Sequence, residues 1–241
     1  MINPEEIKGL LFDYGGTIDS NGMHWAEVIW MAYEAEGIGI TKPIFREAYV
    51  YGERTLGKNR IVLPHHNFFD MLNLKMGLQF DYLKQAGILH AETDYSGQQE
   101  RLAEWCYNYA RQSIDAARPI LEQLATRYKM VLVSNFYGNI ESVLDDFDLH
   151  YLFREIVESA VVGIRKPDPA IFSLGLDKLA LKPEETVVIG DSYDKDIIPA
   201  RTIGCRTIWL KSIGWQPYKG DETADAIISD FQDLRPLFNL E

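Results

Sequence analysis

Apolar positions along this 241-residue chain follow two different periods. Ile7 to Phe12 reads as a short buried strand, halted by the flexible turn Asp13-Tyr14-Gly15-Gly16-Thr17. From about Asn21 to Ala116 the spacing becomes helical. Trp25, Val28, Ile29, Ala32 and Ala35 share one face, and Gly37 is a natural stop. Leu102, Trp105, Cys106, Tyr109 and Ala110 repeat that pattern, with weaker helices and a polar loop, Leu56 to His66, in between. After Pro119 strands and helices alternate. A helix over Leu121–Tyr128 leads to a strand over Met130–Val133, which ends at Ser134-Asn135. A helix over Ile140–Phe147 and a strand over Glu155–Glu158 follow. Asp168 then caps a helix that starts at Pro169, the position a helix tolerates best for proline. Thr186–Ile189, Arg206–Leu210 and Ala226–Ser229 complete the strands, with a helix over Lys195–Ile203 among them.

Strands separated by helices of about ten residues predict an α/β protein with a doubly wound parallel sheet. Residues 1–20 and 117–241 would form that sheet domain, and residues 21–116 a helical domain inserted after the first strand. Ligands of such sheets bind beyond the carboxyl ends of the strands, so the chemistry is expected in the turns there.

Composition narrows the partners. A 46% hydrophobic content is ample for a buried core, and 24 basic against 36 acidic residues leave a net charge of −12. So negative a surface repels a phosphate backbone, which argues against nucleic acid as a partner. It also requires that any anionic substrate be held by locally placed cations. The two cysteines, Cys106 and Cys205, form no CxxC pair and point to a reducing compartment. No apolar run approaches the roughly 20 residues of a membrane span, and the acidic start does not read as an export signal. A cytoplasmic protein without a membrane partner is the expectation.

Four strand ends carry chemistry. Asp13, followed by glycines, aims a carboxylate into the crevice among open N–H groups suited to an anion, although an aspartate there also simply caps turns. Ser134 and Asn135 supply a hydroxyl and an amide just before a helix, though such pairs are ordinary in loops. Lys166 is pinned by Pro167 and could neutralise both a carboxylate and a phosphoryl group, whereas most lysines lie on the surface. Asp191 and Asp196 flank the turn after Ile189-Gly190, hard oxygen ligands of the kind magnesium takes, or else a solvated acidic helix start.

Taken together, the order and placement of these segments resemble the four motifs of the haloacid dehalogenase superfamily, with a helical cap inserted after the first. The resemblance implies a Rossmann-like core and, in most members, a magnesium-dependent phosphatase acting on a small phosphorylated metabolite. On this chain it implies Asp13 as the nucleophile that forms an aspartyl-phosphate, with Lys166 as its partner in catalysis. Phosphate would be held by Ser134, Asn135, Tyr14 and Gly16. Magnesium would sit on Asp13, the Gly15 carbonyl and Asp191, with Asp196 behind them.

One position departs from the pattern. Phosphatases of this superfamily carry a second aspartate two residues after the nucleophile, and here that position is Gly15. General acid–base help of this kind is typically worth about 10²–10⁴ in rate. Three readings follow. A phosphohydrolase would take its acid from elsewhere, with Lys58, His65 and His66 in the polar loop as candidates. Lys58 is also a candidate for the Schiff-base lysine of phosphonatases, which have a small residue at that position. A haloacid dehalogenase needs no acid, but works without metal and usually replaces the later aspartates. A phosphate-binding protein without turnover would have little reason to keep the whole set in register.

Other features read more plainly. The adjacent His65 and His66 diverge on regular structure, unlike a metal pair. Asp145-Asp146 suits a solvated helix face, Asp19 suits a residue that ties the first turn, and Trp25, Trp30, Trp105 and Tyr109 suit a core for the helical domain.

Overall fold

The computed structural model describes residues 2–241. Strand β1 (Gly9–Phe12) is followed by four helices: α1 (Trp25–Ala35), α2 (Lys42–Lys58), α3 (Phe68–Gln85) and α4 (Ser96–Arg127). Then come β2 (Lys129–Ser134), α5 (Ile140–Asp146), β3 (Glu155–Glu158), α6 (Ser159–Val162) and α7 (Ala170–Leu179). The chain ends with β4 (Thr186–Gly190), α8 (Ile198–Thr202), β5 (Arg206–Leu210), β6 (Ala226–Ile228) and α9 (Leu234–Phe238). All six strands are parallel, in the order β3-β2-β1-β4-β5-β6. The order reverses at β1, so the crevice beyond β1 is the switch point where such sheets bind ligands.

The strands read as near-continuous apolar runs because both faces of the sheet are covered. Leu10 and Phe12 point to one face and join Met130, Leu132, Val187 and Ile189 in a core shared with α1–α4. Leu11 points to the other and meets Val131, Val133, Val188 and Phe172 of α7. The helical insertion therefore packs into the same apolar mass as one face of the sheet. Asp168 caps α7 as its sequence implies, its Oδ1 accepting from Ala170 N–H at 2.9 Å.

Three local expectations change. Leu121–Tyr128 is not a separate helix but the end of α4, which runs through Pro119 and across the 116/117 boundary as 32 continuous residues. Proline removes one helical hydrogen bond, and burial of Ile114, Ala117, Ile120, Leu121 and Leu124 holds the helix together on either side. The polar loop starts later than its composition suggests, since Leu56–Lys58 complete α2. Lys195–Ile203 divides into one π turn over Tyr193–Ile197 and the short α8. Among the described residues no helix is long and apolar enough to cross a membrane.

Candidate active site

Sheet register assembles the site. Phe12 lies level with Leu132 of β2 and Ile189 of β4, so the residues after each strand emerge side by side. Asp13 extends the ladder by one bond, its N–H donating to Ile189 O at 3.0 Å. Lys166 arrives from the loop before α7. Its Nζ lies 2.7 Å from Asp13 Oδ1 and 2.7 Å from Asp196 Oδ1, and all three residues are buried. Burial alone would strip the proton from Lys166, but the two carboxylates outweigh it and hold the ammonium above its ordinary range. Thr17 Oγ1 lies within hydrogen-bond distance of both Asp13 (3.1 Å) and Asp191 (3.3 Å), and it accepts from Asp191 N–H at 3.1 Å. Ser134 Oγ stands 3.5 Å from Asp13 Oδ1.

The turn after β1 shows which glycines the geometry requires. Gly16 has φ +97°, and a Cβ there would lie 2.6 Å from the Asp191 carboxyl. Gly190 is equally constrained, since its Cβ would strike Asp196 at 2.6 Å. Gly15 differs: a Cβ there would meet only Asp19 Oδ2, at 4.0 Å, so nothing steric excludes a side chain. Asp19 ties the turn as anticipated, accepting from Gly16 N–H at 2.7 Å and from Trp25 Nε1–H at 2.9 Å. Burial pushes its carboxyl up to about 7.

Three expected phosphate contacts are altered. The Gly16 N–H is taken by Asp19, so it is not free for an anion. The Tyr14 side chain does not line the cleft: it is buried and packs against Phe68 and Phe136. Asn135 is committed to the lysine loop: its Nδ2 donates to Lys166 O at 3.1 Å, and its Oδ1 accepts from Lys166 N–H at 3.0 Å. That two-way match makes Asn135 a holder of Lys166. Among the described residues the Tyr14 and Gly15 N–H groups find no acceptor.

Asp13, Asp191 and Asp196 offer carboxylate oxygens that all lie within 4.8 Å of one another. Burial and the charges of Asp13 and Asp196 push the Asp191 carboxyl well up, and burial pushes Asp196 up to about 6. Three acids against one lysine leave excess negative charge, which a divalent cation would relieve. The donor set fits one. Asp196 has both oxygens engaged, by Lys166 Nζ and by Ser192 N–H at 3.0 Å, which places it behind Asp13 and Asp191.

The cleft above these groups has a volume of about 1390 Å³ and is closed on the far side by the helical insertion. Lys58 is not in that wall. It sits on an outer groove of α2 with Tyr51 and Tyr82, because the extra helical turn carries it away. His65 and His66 do not line the cleft either. His66 is used in its own loop, Nδ1 accepting from Leu63 N–H at 3.1 Å. The insertion instead contributes His24, Trp25, Tyr49, Glu53 and Lys75. Lys75 could have been noticed, since it falls on the buried α3 face with Met71, Leu72, Met76 and Phe80. Trp25 lines the cleft, while Trp30 packs on Phe45 and Trp105 stacks on Tyr109.

A family model for haloacid dehalogenase-like hydrolases matches residues 7–204, and the chain belongs to that family of hydrolases. Over 86 residues it is 36% identical to the glyceraldehyde 3-phosphate phosphatase of Methanocaldococcus jannaschii, covering 36% of this chain and 38% of that one. The phosphoserine phosphatase of Thermus thermophilus is 33% identical over 86 residues, 36% of this chain and 34% of its own length. The matched stretches thus span little more than a third of these relatives. A dehalogenase solved as an intermediate complex superposes over the whole of both chains with a TM-score of 0.68 at 17% identity. A HAD phosphatase from Thermococcus onnurineus matches 98% of this chain and 99% of its own with a TM-score of 0.52 at 24% identity. These two likenesses describe the fold.

Proposed function

We propose that the chain is a magnesium-dependent phosphohydrolase that cleaves small phosphorylated metabolites through an aspartyl-phosphate on Asp13. The observation that carries this reading is the buried Lys166 shared between Asp13 and Asp196, with Asp191 beside them. Asp13 attacks the phosphorus in line, and the bond to the substrate's alcohol oxygen breaks. Water later displaces phosphate from Asp13. Lys166 and the N–H groups of Tyr14 and Gly15, which directly follow the nucleophile, would meet the charge that grows on the phosphoryl oxygens, usually the largest catalytic term. Ser134 lies beside Asp13 and completes the donor set. Asp13, Asp191 and the Gly15 carbonyl would hold magnesium, which when bound withdraws charge from the phosphoryl group. Residues 21–116 act as the cap, excluding solvent and selecting the leaving group.

With no side chain at Gly15, the departing alkoxide draws its proton from outside the first turn. The phosphonatase variant is disfavoured because Lys58 faces the outer groove. The metal-free dehalogenase reading is disfavoured by the retained Asp191 and Asp196. The deciding experiment is a screen of phosphomonoesters, a phosphonate and a 2-haloacid, with and without magnesium. Magnesium-dependent phosphate release is expected; metal-free halide release, or no release from any phosphomonoester, overturns the reading.

A further inference from the structure

Opposite the strand ends, the helical wall of the cleft holds a buried ammonium. Lys75 of α3 is 5% exposed and pairs with Glu53 of α2 at 2.7 Å. Tyr137, three residues beyond Ser134, reaches across from the sheet side: its hydroxyl donates to Glu53 Oε2 at 2.7 Å, and its ring centre lies 5.2 Å from Lys75 Nζ. An ammonium has three donors, yet Glu53 is the only ion-pair partner of Lys75 Nζ among the described residues, and the Glu53 Oε1 it faces accepts no well-aligned hydrogen bond. Burying such a pair contributes little to stability, so its placement in the cleft wall is better explained by what it meets there.

The charges of the pair restrict that partner. A second phosphate, carrying about −1.5 to −2, would be repelled by Glu53 up to about twice as strongly as a carboxylate, with only one cation to offset it. An uncharged alcohol would leave the spare donors of a buried cation weakly matched. A single carboxylate continues an alternation of negative, positive and negative charge, and charge-assisted bonds of this kind are short and strong. We propose that Lys75 is a specificity-determining residue that binds a carboxylate on the alcohol portion of the substrate, so that the substrates are phosphomonoesters of small hydroxy acids. Glu53 and Tyr137 are positioning residues that hold the ammonium in place. The proposal rests on the phosphohydrolase reading given above.

The test compares kcat/KM for two esters that differ only in this group, 3-phosphoglycerate and glycerol 1-phosphate, with p-nitrophenyl phosphate as a general reporter of turnover. The wild-type chain should prefer the carboxylated ester by about ten- to a hundredfold. In Lys75→Met the ratio should fall to near one, mainly through KM, and Lys75→Arg should restore part of it. Glu53→Gln should improve 1,3-propanediol bisphosphate relative to glycerol 1-phosphate. The double variant Glu53→Gln with Lys75→Met removes both charges, so it leaves no unpaired buried ion to hinder folding, and it too should show a ratio near one. Equal rates on the two esters in the wild type, or an unchanged ratio in either Lys75→Met variant, overturns the proposal alone. Absence of turnover even on the aryl ester overturns the phosphohydrolase reading, and this proposal with it.

Discussion

Two buried lysines line opposite walls of one cleft, and they differ in how fully their donors are used. Lys166 touches two carboxylates at 2.7 Å, both carried by the ends of adjoining strands or the turns after them. Lys75 touches one, carried on a neighbouring helix. Burial works against both ammonium groups, and neighbouring acids overcome it in both cases. The difference lies in what remains. At the strand ends two carboxylates fix the position of the ammonium, which suits a centre that must repeat one reaction. On the helical wall donor capacity is left over, which suits recognition of a variable group.

That contrast can be broken at several points. Asp13→Asn should lower turnover by about 10⁴-fold or more with the fold intact by circular dichroism; wild-type rates would remove Asp13 from the chemistry. Gly15→Asp should raise phosphatase activity by up to about 10²-fold, within the range of general acid–base help, because the position has room for a side chain. No gain would mean that the floor was built for a leaving group needing no acid. Lys166→Met should cost roughly 10²–10³ in kcat. It should also cost about 3–5 kcal/mol in stability, by leaving Asp13 and Asp196 buried without their cation; unchanged denaturant midpoints would show that the floor pairing matters less than its geometry implies.

The smallest effect concerns the edge of the helical wall. Burial lowers the His24 imidazole from its ordinary 6.5 to about 4. The unfolded chain therefore takes up a proton below pH 6.5 that the folded chain refuses until about pH 4. Stability should fall as pH drops through that window, by roughly 2–3 kcal/mol. His24→Asn keeps an acceptor for Ala26 N–H, which His24 Nδ1 supplies at 3.1 Å. It should flatten that part of the melting-temperature profile. An equally steep profile in the variant would assign the acid sensitivity elsewhere.

The floor was legible in the sequence and the wall was not, for a physical reason. A buried parallel strand is an apolar run, so Asp13, Ser134 and Asp191 stand out where each run stops. The sheet then brings those stops together without further information. Lys75 ends no apolar run, and its one signal is the weaker one of falling on the apolar face of α3. It is one of 24 basic residues, and the packing of α3 against α2 is what brings it to Glu53. The polar loop suggested Lys58, His65 and His66 because loops often carry function. One more turn of α2 swung Lys58 outward, and His66 went into closing its own loop. Gly16 and Asn135 resemble anion ligands by their neighbours in sequence, but local hydrogen bonds claim both.

Helix α4 packs along α3, the helix that carries Lys75, and stops one residue short of β2, the strand that delivers Ser134. At 1.5 Å per residue its 32 residues make a rod about 48 Å long. Its single weak joint is Pro119. One continuous rod therefore links the helical layer that carries Lys75 to the strand that carries Ser134.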